Sequence, residues 1–186
     1  MIAKLVGENG KVFAFEPEPS NFELLKKNIE INGYHNVVLE QKAVSDKSGD
    51  CILYTGQKSS GANRIYEPKK TKTQDFKSIK VSTVSIDDYL AVHNVSRINF
   101  IKMDIEGAEF RALQGMKTLL EKNKNLTIFT EFDKLALEDS GINPENFLDF
   151  LLSDGFKIYF VDEEQNKIEL IDKKKFLNSD RTHLII

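Results

Sequence analysis

Short apolar runs alternate with stretches of helical periodicity along this chain, and that alternation limits the fold more than any other feature. Lys11 to Phe15 has the pattern of a buried strand and stops at Glu16-Pro17, since proline fixes φ and lacks a backbone donor. Ser20 with Glu23 three positions on has the form of a capping box, and Phe22, Leu25 and Ile29 recur at helical spacing until Asn32-Gly33. Strands are predicted over Asn36 to Val44, Cys51 to Thr55 and Val81 to Val84, after which Ser85 and Asp88 cap a short helix through Leu90. Ile98 to Met103 is a strand ending at Asp104, and Ala108, Ala112, Leu113, Met116, Leu119 and Leu120 then mark one face of a helix. Thr127 to Phe132 is a strand tipped by Glu131. Asn143-Pro144 opens a helix with Phe147, Leu148, Leu151 and Leu152 on its apolar face, closed by Gly155. Phe156 to Val161 and Thr182 to Ile186 are the last strands.

This order predicts an open, mainly parallel α/β sheet whose last two strands form an antiparallel pair. Ligands of such sheets sit beyond the carboxyl ends of the strands, where Glu16, Asp104 and Glu131 all fall. At 186 residues one domain is expected, over 1–186. Residues from about 56 to 80 are rich in lysine, serine and glycine and read as a loop or hairpin insertion. Its Ser59-Ser60-Gly61-Ala62-Asn63 stretch either covers the site or is plain solvated loop.

A net charge of −3, with 40% apolar and 30% charged residues, gives no general attraction to nucleic acid or to an anionic membrane. No run of 18 apolar residues exists, and the first ten residues are too polar for a signal-peptide core, so neither a membrane span nor export by that route is expected. The single cysteine, Cys51, cannot form an internal disulfide. A reducing compartment, the cytoplasm, is the expectation.

The sequence Phe100 to Gly115, FIKMDIEGAEFRALQG, sets three carboxylates within six positions. Glu106 and Glu109 would each gain about 0.3–1 kcal/mol as acids at the positive end of a helix. Asp104 could serve as the N-cap, and Gly107 would let the turn pack closely. The alternative is a ligand site, because anions gathered on one rim repel unless a cation or a hydroxyl-rich ligand separates them. A divalent ion at Asp104 with Glu106 or Glu131 would also answer that repulsion. His35, His93 and His183 are scattered and read as surface residues, so no metal centre is assigned. An acid placed like Glu16 also suits a nicotinamide-binding fold, but the G-x-G-x-x-G that fold needs is absent.

VFAFEPEPSNFELLKKNIEING, KAVSDKSG, VSTVSIDDYL and IKMDIEGAEFRALQG together, in wording and in order, resemble the FkbM-type family of S-adenosylmethionine-dependent methyltransferases. The most specific match is Asp104-Ile105-Glu106-Gly107-Ala108-Glu109, which has the family's D-x-E-G-x-E form. The resemblance implies an α/β fold of the class I methyltransferase, Rossmann-like sandwich type and O-methylation of a small-molecule or sugar hydroxyl. It implies that Glu16 binds the cofactor ribose, that Ala43 and Val44 flank the adenine, and that Glu106 belongs to the cofactor site. Asp104 would face the reacting end as acceptor of the hydroxyl proton, with Glu131 the second candidate.

The family pattern also places a strand and a D-x-G-x-x-x-G-like loop before the ribose-binding acid, which takes about 25 to 30 residues. Only 15 residues precede Glu16. The expectation is therefore a shortened member, or a fragment, that lacks the first strand and glycine loop and binds S-adenosylmethionine weakly or not at all. Met1 to Val6 would be a helix tail, with Gly7 and Gly10 in the turn to the first strand. The strands ending at Glu16 and Asp104 would then close against each other, or a segment of another chain would fill the gap. The rival reading is a non-catalytic methyltransferase-like module that acts through a partner or a homodimer formed at the exposed sheet edge.

Overall fold

Helix and strand alternate from the start as α1 (Ile2–Leu5), β1 (Val12–Phe15), α2 (Pro19–Ile31) and β2 (Val37–Glu40) in the computed structural model, which describes residues 2–56, 62–69, 76–153, 155–162, 165, 167–178 and 183–186. Pro19 decides where α2 begins, since the first turn of a helix has no use for the missing N–H. The preceding Glu18 is the N-cap and its carboxylate accepts from the Asn21 N–H at 2.7 Å. Ser20 therefore lies inside the helix, and the predicted Ser20–Glu23 capping box is replaced by Glu18–Asn21. The other end is as expected, with Asn32 at the C-cap and Gly33 at φ +65°.

The strand predicted over Asn36 to Val44 divides after Glu40. β2 pairs in parallel with β1, whereas β3 (Ala43–Val44) pairs in parallel with β5 (Phe76–Val84) in a different sheet. β4 (Gly49–Gly56) runs antiparallel to β5 along its whole length, so the insertion is built on a hairpin. Ser59, Ser60 and Gly61 lie outside the described residues, but residues 62–69 form an arch that returns to β4. Tyr54 and Arg64 exchange backbone hydrogen bonds of 2.9 and 3.1 Å there.

The remainder comprises α3 (Ile86–Val92), β6 (Phe100–Met103), α4 (Glu109–Gln114), α5 (Lys117–Lys122), β7 (Thr127–Glu131), α6 (Lys134–Asp139), α7 (Pro144–Ser153), β8 (Tyr159–Asp162), β9 (Lys167–Leu170), α8 (Lys173–Leu177) and β10 (His183–Ile185). The helix predicted after Asp104 is two helices broken at Gly115. A Cβ at Gly115 would fall 2.1 Å from the Ser45 carbonyl oxygen, so the chain crosses this point at contact distance. The Asp87 carboxylate then restarts the helix by accepting from the Thr118 and Leu119 N–H groups at 2.8 and 2.9 Å. All six residues of the predicted apolar face are nevertheless buried. On α7, Phe147, Leu148 and Leu151 are fully buried but Leu152 is 40% exposed, one position beyond the stripe.

β6, β7, β10, β8 and β9 form one sheet in that order. β10 and β8 are the expected antiparallel pair, and β10 also inserts antiparallel against β7. The mainly parallel single sheet is not observed: among the described residues β1–β2, β3–β5 and β6–β7 are parallel, while β4–β5, β7–β10, β8–β10 and β8–β9 are antiparallel. The fold-back of β5 along β4, the short connection from β8 to β9 and the C-terminal strand lying between β7 and β8 give that balance. Nor do β1 and β6 close against each other, since each has a hydrogen-bonded neighbour on one side only among the described residues.

The main core is gathered from residues 84 to 186, around Leu113, Phe132, Phe147, Leu148, Leu151, Ile158 and Leu184. Phe13 and Phe15 of β1 reach its margin edge-on to Tyr89, with ring centroids 5.6 and 4.9 Å away. No residue from 2 to 42 is fully buried, and Leu5, Leu24 and Ile31 are exposed.

Candidate functional site: an acidic cleft at the strand tips

A cleft of about 560 Å³ opens beyond the carboxyl ends of β1, β3 and β6, within the size range of small-ligand sites. Glu16, Ala43, Val44, Asp104 and Glu106 all line it. Three segments far apart in sequence thus share one space. The turn of α2 contributes Asn21, and the arch contributes Asn63 and Ile65.

Glu16 is fixed by its own chain: Oε1 accepts from the Glu18 N–H at 2.8 Å. Burial pushes its carboxyl above the usual range, against the lowering effect of that bond. Ala43 is buried and Val44 half-buried, a flat apolar floor beside the acid.

Asp104 does not cap α4, whose N-cap is Ala108 with no side-chain bond. It projects from the tip of β6, half exposed, and pairs with Lys102 Nζ at 2.8 Å. One oxygen each of Asp104, Glu106 and Glu131 lie within 4.8 Å of one another. Burial is the first cause that raises the Glu106 carboxyl and the nearby Glu131 charge the second, with the Arg64 guanidinium opposing both. Glu131 is raised by burial and then by the charges of Asp104 and Asp133, with His183 opposing. Glu131 is not in the cleft wall and joins the site only through this cluster. The spacing by itself assigns no ion.

Glu109 has a different task. It is 2% exposed, Oε1 accepts from the Ile105 N–H at 3.0 Å, and burial lifts its carboxyl to about 7. It closes the turn from beneath, while Glu106 above it occupies the left-handed region at φ +56° and Gly107 follows at φ +91°. Glycine is required at 107 because a Cβ would stand 2.7 Å from the Ala136 carbonyl oxygen and 2.8 Å from the Tyr66 hydroxyl.

The arch residues were not singled out by the sequence. Tyr66 is 7% exposed, and its hydroxyl lies 2.8 Å from the Glu106 carbonyl oxygen and 3.1 Å from that of Ala136. Arg64 reaches Glu106 at 3.9 Å and Asp139 at 3.4 Å. The Lys69 N–H donates to Asp139 at 2.8 Å. Of the Ser59–Asn63 stretch, read as either site cover or solvated loop, only Ala62 and Asn63 are described; both are half-buried, and Asn63 lines the cleft. The only prior signal for the arch was the adjacent apolar pair Ile65-Tyr66 in an otherwise polar stretch. Among the histidines, His35 and His93 are exposed as expected, but His183 is half-buried, stacked on Phe129 with centroids 5.4 Å apart and in register with Glu131.

Residues 1–158 match the family model of the methyltransferase FkbM domain. Similar proteins include Methyltransferase 1 of Beauveria bassiana, 26% identical over 56% of this chain and 48% of the relative. The hexuronic acid methyltransferase AglP of Haloferax volcanii is 29% identical over 64% of this chain and 46% of its own. The 2-O-methyltransferase NoeI of Sinorhizobium fredii is 26% identical over 77% of this chain and 62% of its own. The crystal structure of methyltransferase FkbM from Methylobacillus flagellatus superposes with a TM-score of 0.57 over the whole of this chain and 40% of that one, at 16% identity, which speaks to the fold. The chain thus spans roughly half the length of the relatives that it matches. With a mixed α/β fold of the same kind and a family match over 158 of its 186 residues, the chain belongs to the FkbM methyltransferase domain family.

Proposed function

We propose that the cleft is an S-adenosylmethionine site and that the chain serves O-methylation of a sugar or other small-molecule hydroxyl. The observation that carries this reading is the convergence of Glu16, Ala43, Val44, Asp104 and Glu106 on one cleft. Glu16 accepts hydrogen bonds from a ribose diol, and Ala43 with Val44 presents an apolar surface to the adenine. Glu106, half-buried, would face the cationic end of the ligand. When bound, the sulfonium supplies an electrophilic methyl group. Asp104 would hold the acceptor hydroxyl at the reacting end of the cleft and take its proton. Glu131 stands next to Asp104 as the second acid. A carbohydrate acceptor is supported by the name of one relative, a hexuronic acid methyltransferase, and transfer to oxygen by that of another, a 2-O-methyltransferase.

Without a D-x-G-x-x-x-G-type loop in its sequence to bring backbone N–H groups to the aminoacid end, the chain holds this cofactor weakly. Titration with S-adenosylhomocysteine followed by NMR tests both statements. The amides of Glu16, Ala43 and Glu106 are expected to shift together, saturating only well above the micromolar range. Low-micromolar saturation refutes the weakness, and no shift at millimolar ligand refutes the site.

A second reading, a methyltransferase-like module that acts by self-association, is favoured by the pairing of β1 and β6 on one side only among the described residues and by Phe100, 46% exposed on β6. Sedimentation velocity over a hundredfold range of concentration distinguishes it: a dimer without ligand shifts supports the module, and a monomer excludes it.

A further inference from the structure

Tyr66 and Arg64 stand at an unusual place, on a hairpin connection yet in contact with the most strained backbone of the cleft. Glu106 is one of two non-glycine residues with positive φ among the described residues, and it precedes a glycine that is also left-handed. Such a conformation is strained and persists only where surrounding contacts impose it. Two contacts do so here. The Tyr66 hydroxyl, buried, sits between the Glu106 and Ala136 carbonyl oxygens at 2.8 and 3.1 Å, tying the turn to α6. Arg64 spans the carboxylates of Glu106 and Asp139 at 3.9 and 3.4 Å, its guanidinium 5.7 Å from the Tyr66 ring and 5.5 Å from that of Phe76. Its buried Nε has no hydrogen-bond partner among the described residues. The arch itself is anchored at both ends of its described span, by the Tyr54–Arg64 backbone pair and by Lys69 N–H on Asp139.

We propose that Tyr66 and Arg64 are positioning residues that clamp Glu106, one by its backbone and the other by its carboxylate, and thereby aim that acid into the cleft. Neither side chain is among those lining the cleft, so their effect on a ligand passes through Glu106. The inference rests on the cofactor reading of the cleft only for its consequence in binding; the clamp itself is a property of the free protein.

The test has two arms. In the ligand-free protein, Tyr66→Phe keeps the ring and removes the hydroxyl. Hydrogen exchange at the Ile105 and Ala108 amides is expected to quicken about tenfold or more, with Ala112 in α4 unchanged. Equal exchange in both proteins overturns the clamp, whatever the chain binds. In the second arm, S-adenosylhomocysteine affinity is measured for Tyr66→Phe, Arg64→Gln and Glu106→Gln, singly and paired. Each single change is expected to weaken binding about threefold or more, and neither Tyr66→Phe nor Arg64→Gln is expected to add a further loss once Glu106 is Gln. Fully additive losses would mean that the arch acts independently of Glu106 and overturn the proposal. A loss of exchange protection in Tyr66→Phe with Glu106→Gln binding as tightly as the parent upholds the clamp and removes Glu106 from the cofactor site instead.

Discussion

Glu109 shows how one buried acid sets a pH dependence. Its folded-state pKa of about 7 lies above the 4.5 of an ordinary glutamate, so the folded protein binds this proton more tightly than the unfolded chain does. That contribution to stability is fully present below pH 4.5 and is lost as pH rises through 7, by on the order of 2–3 kcal/mol. Glu109→Gln keeps an acceptor for the Ile105 N–H and cannot ionise. Its melting temperature is expected to gain on the parent's between pH 5 and pH 8, and a difference that stays constant over that interval rejects the assignment. Gly107→Ala meets both a left-handed φ and the Ala136 carbonyl, and should cost about 1–3 kcal/mol in denaturant unfolding. An unchanged midpoint would show that the turn can relax. The sequence made these acids conspicuous by their spacing, but it could not separate the roles of Glu106 and Glu109. Three positions apart in one motif, they differ in burial and in what lies across from them, and both are tertiary facts.

Helix ends here are settled by particular carboxylates. Asp87 belongs to α3 but satisfies two N–H groups of α5, so one side chain ties two helices together. Asp87→Ala is expected to lower unfolding free energy by about 1–2 kcal/mol, the usual loss for a capping side chain, with little change in the denaturant m-value. A stability within 0.3 kcal/mol of the parent would mean that water replaces the cap. Elements with strong local signals were legible: α7 from Asn143-Pro144, α3 from Ser85, and the strands tipped by Glu16, Asp104 and Glu131. Those missed were α6, β9 and α8, each six residues or fewer, too short to display a period. The break at Gly115 was hidden for another reason: the apolar spacing continues through it, and only the approach of Ser45 reveals it.

At the scale of the molecule, stability is unevenly distributed. The side chains with least exposure lie after residue 42, while β1, α2 and β2 have none below the buried class. Native-state hydrogen exchange should therefore show residues 12–40 opening at a free energy well below that of β7, β10 and α7. Uniform protection across both regions would contradict this. The rings of Phe13 and Phe15 pack edge-on against Tyr89, whose hydroxyl lies 3.1 Å from Glu40, and these contacts help to tie the two regions together.

From the sequence alone came the mixed α/β class, the strand-tip acids and the family, because each depends on local periodicity or on a contiguous motif. The division of Asn36–Val44 between two sheets, the balance of antiparallel over parallel pairs, the unclosed edges of β1 and β6 and the docking of Tyr66 and Arg64 onto Glu106 were decided by the tertiary structure. Strand pairing and side-chain approach join residues tens of positions apart, and their energies depend on which surfaces meet, which no single segment encodes.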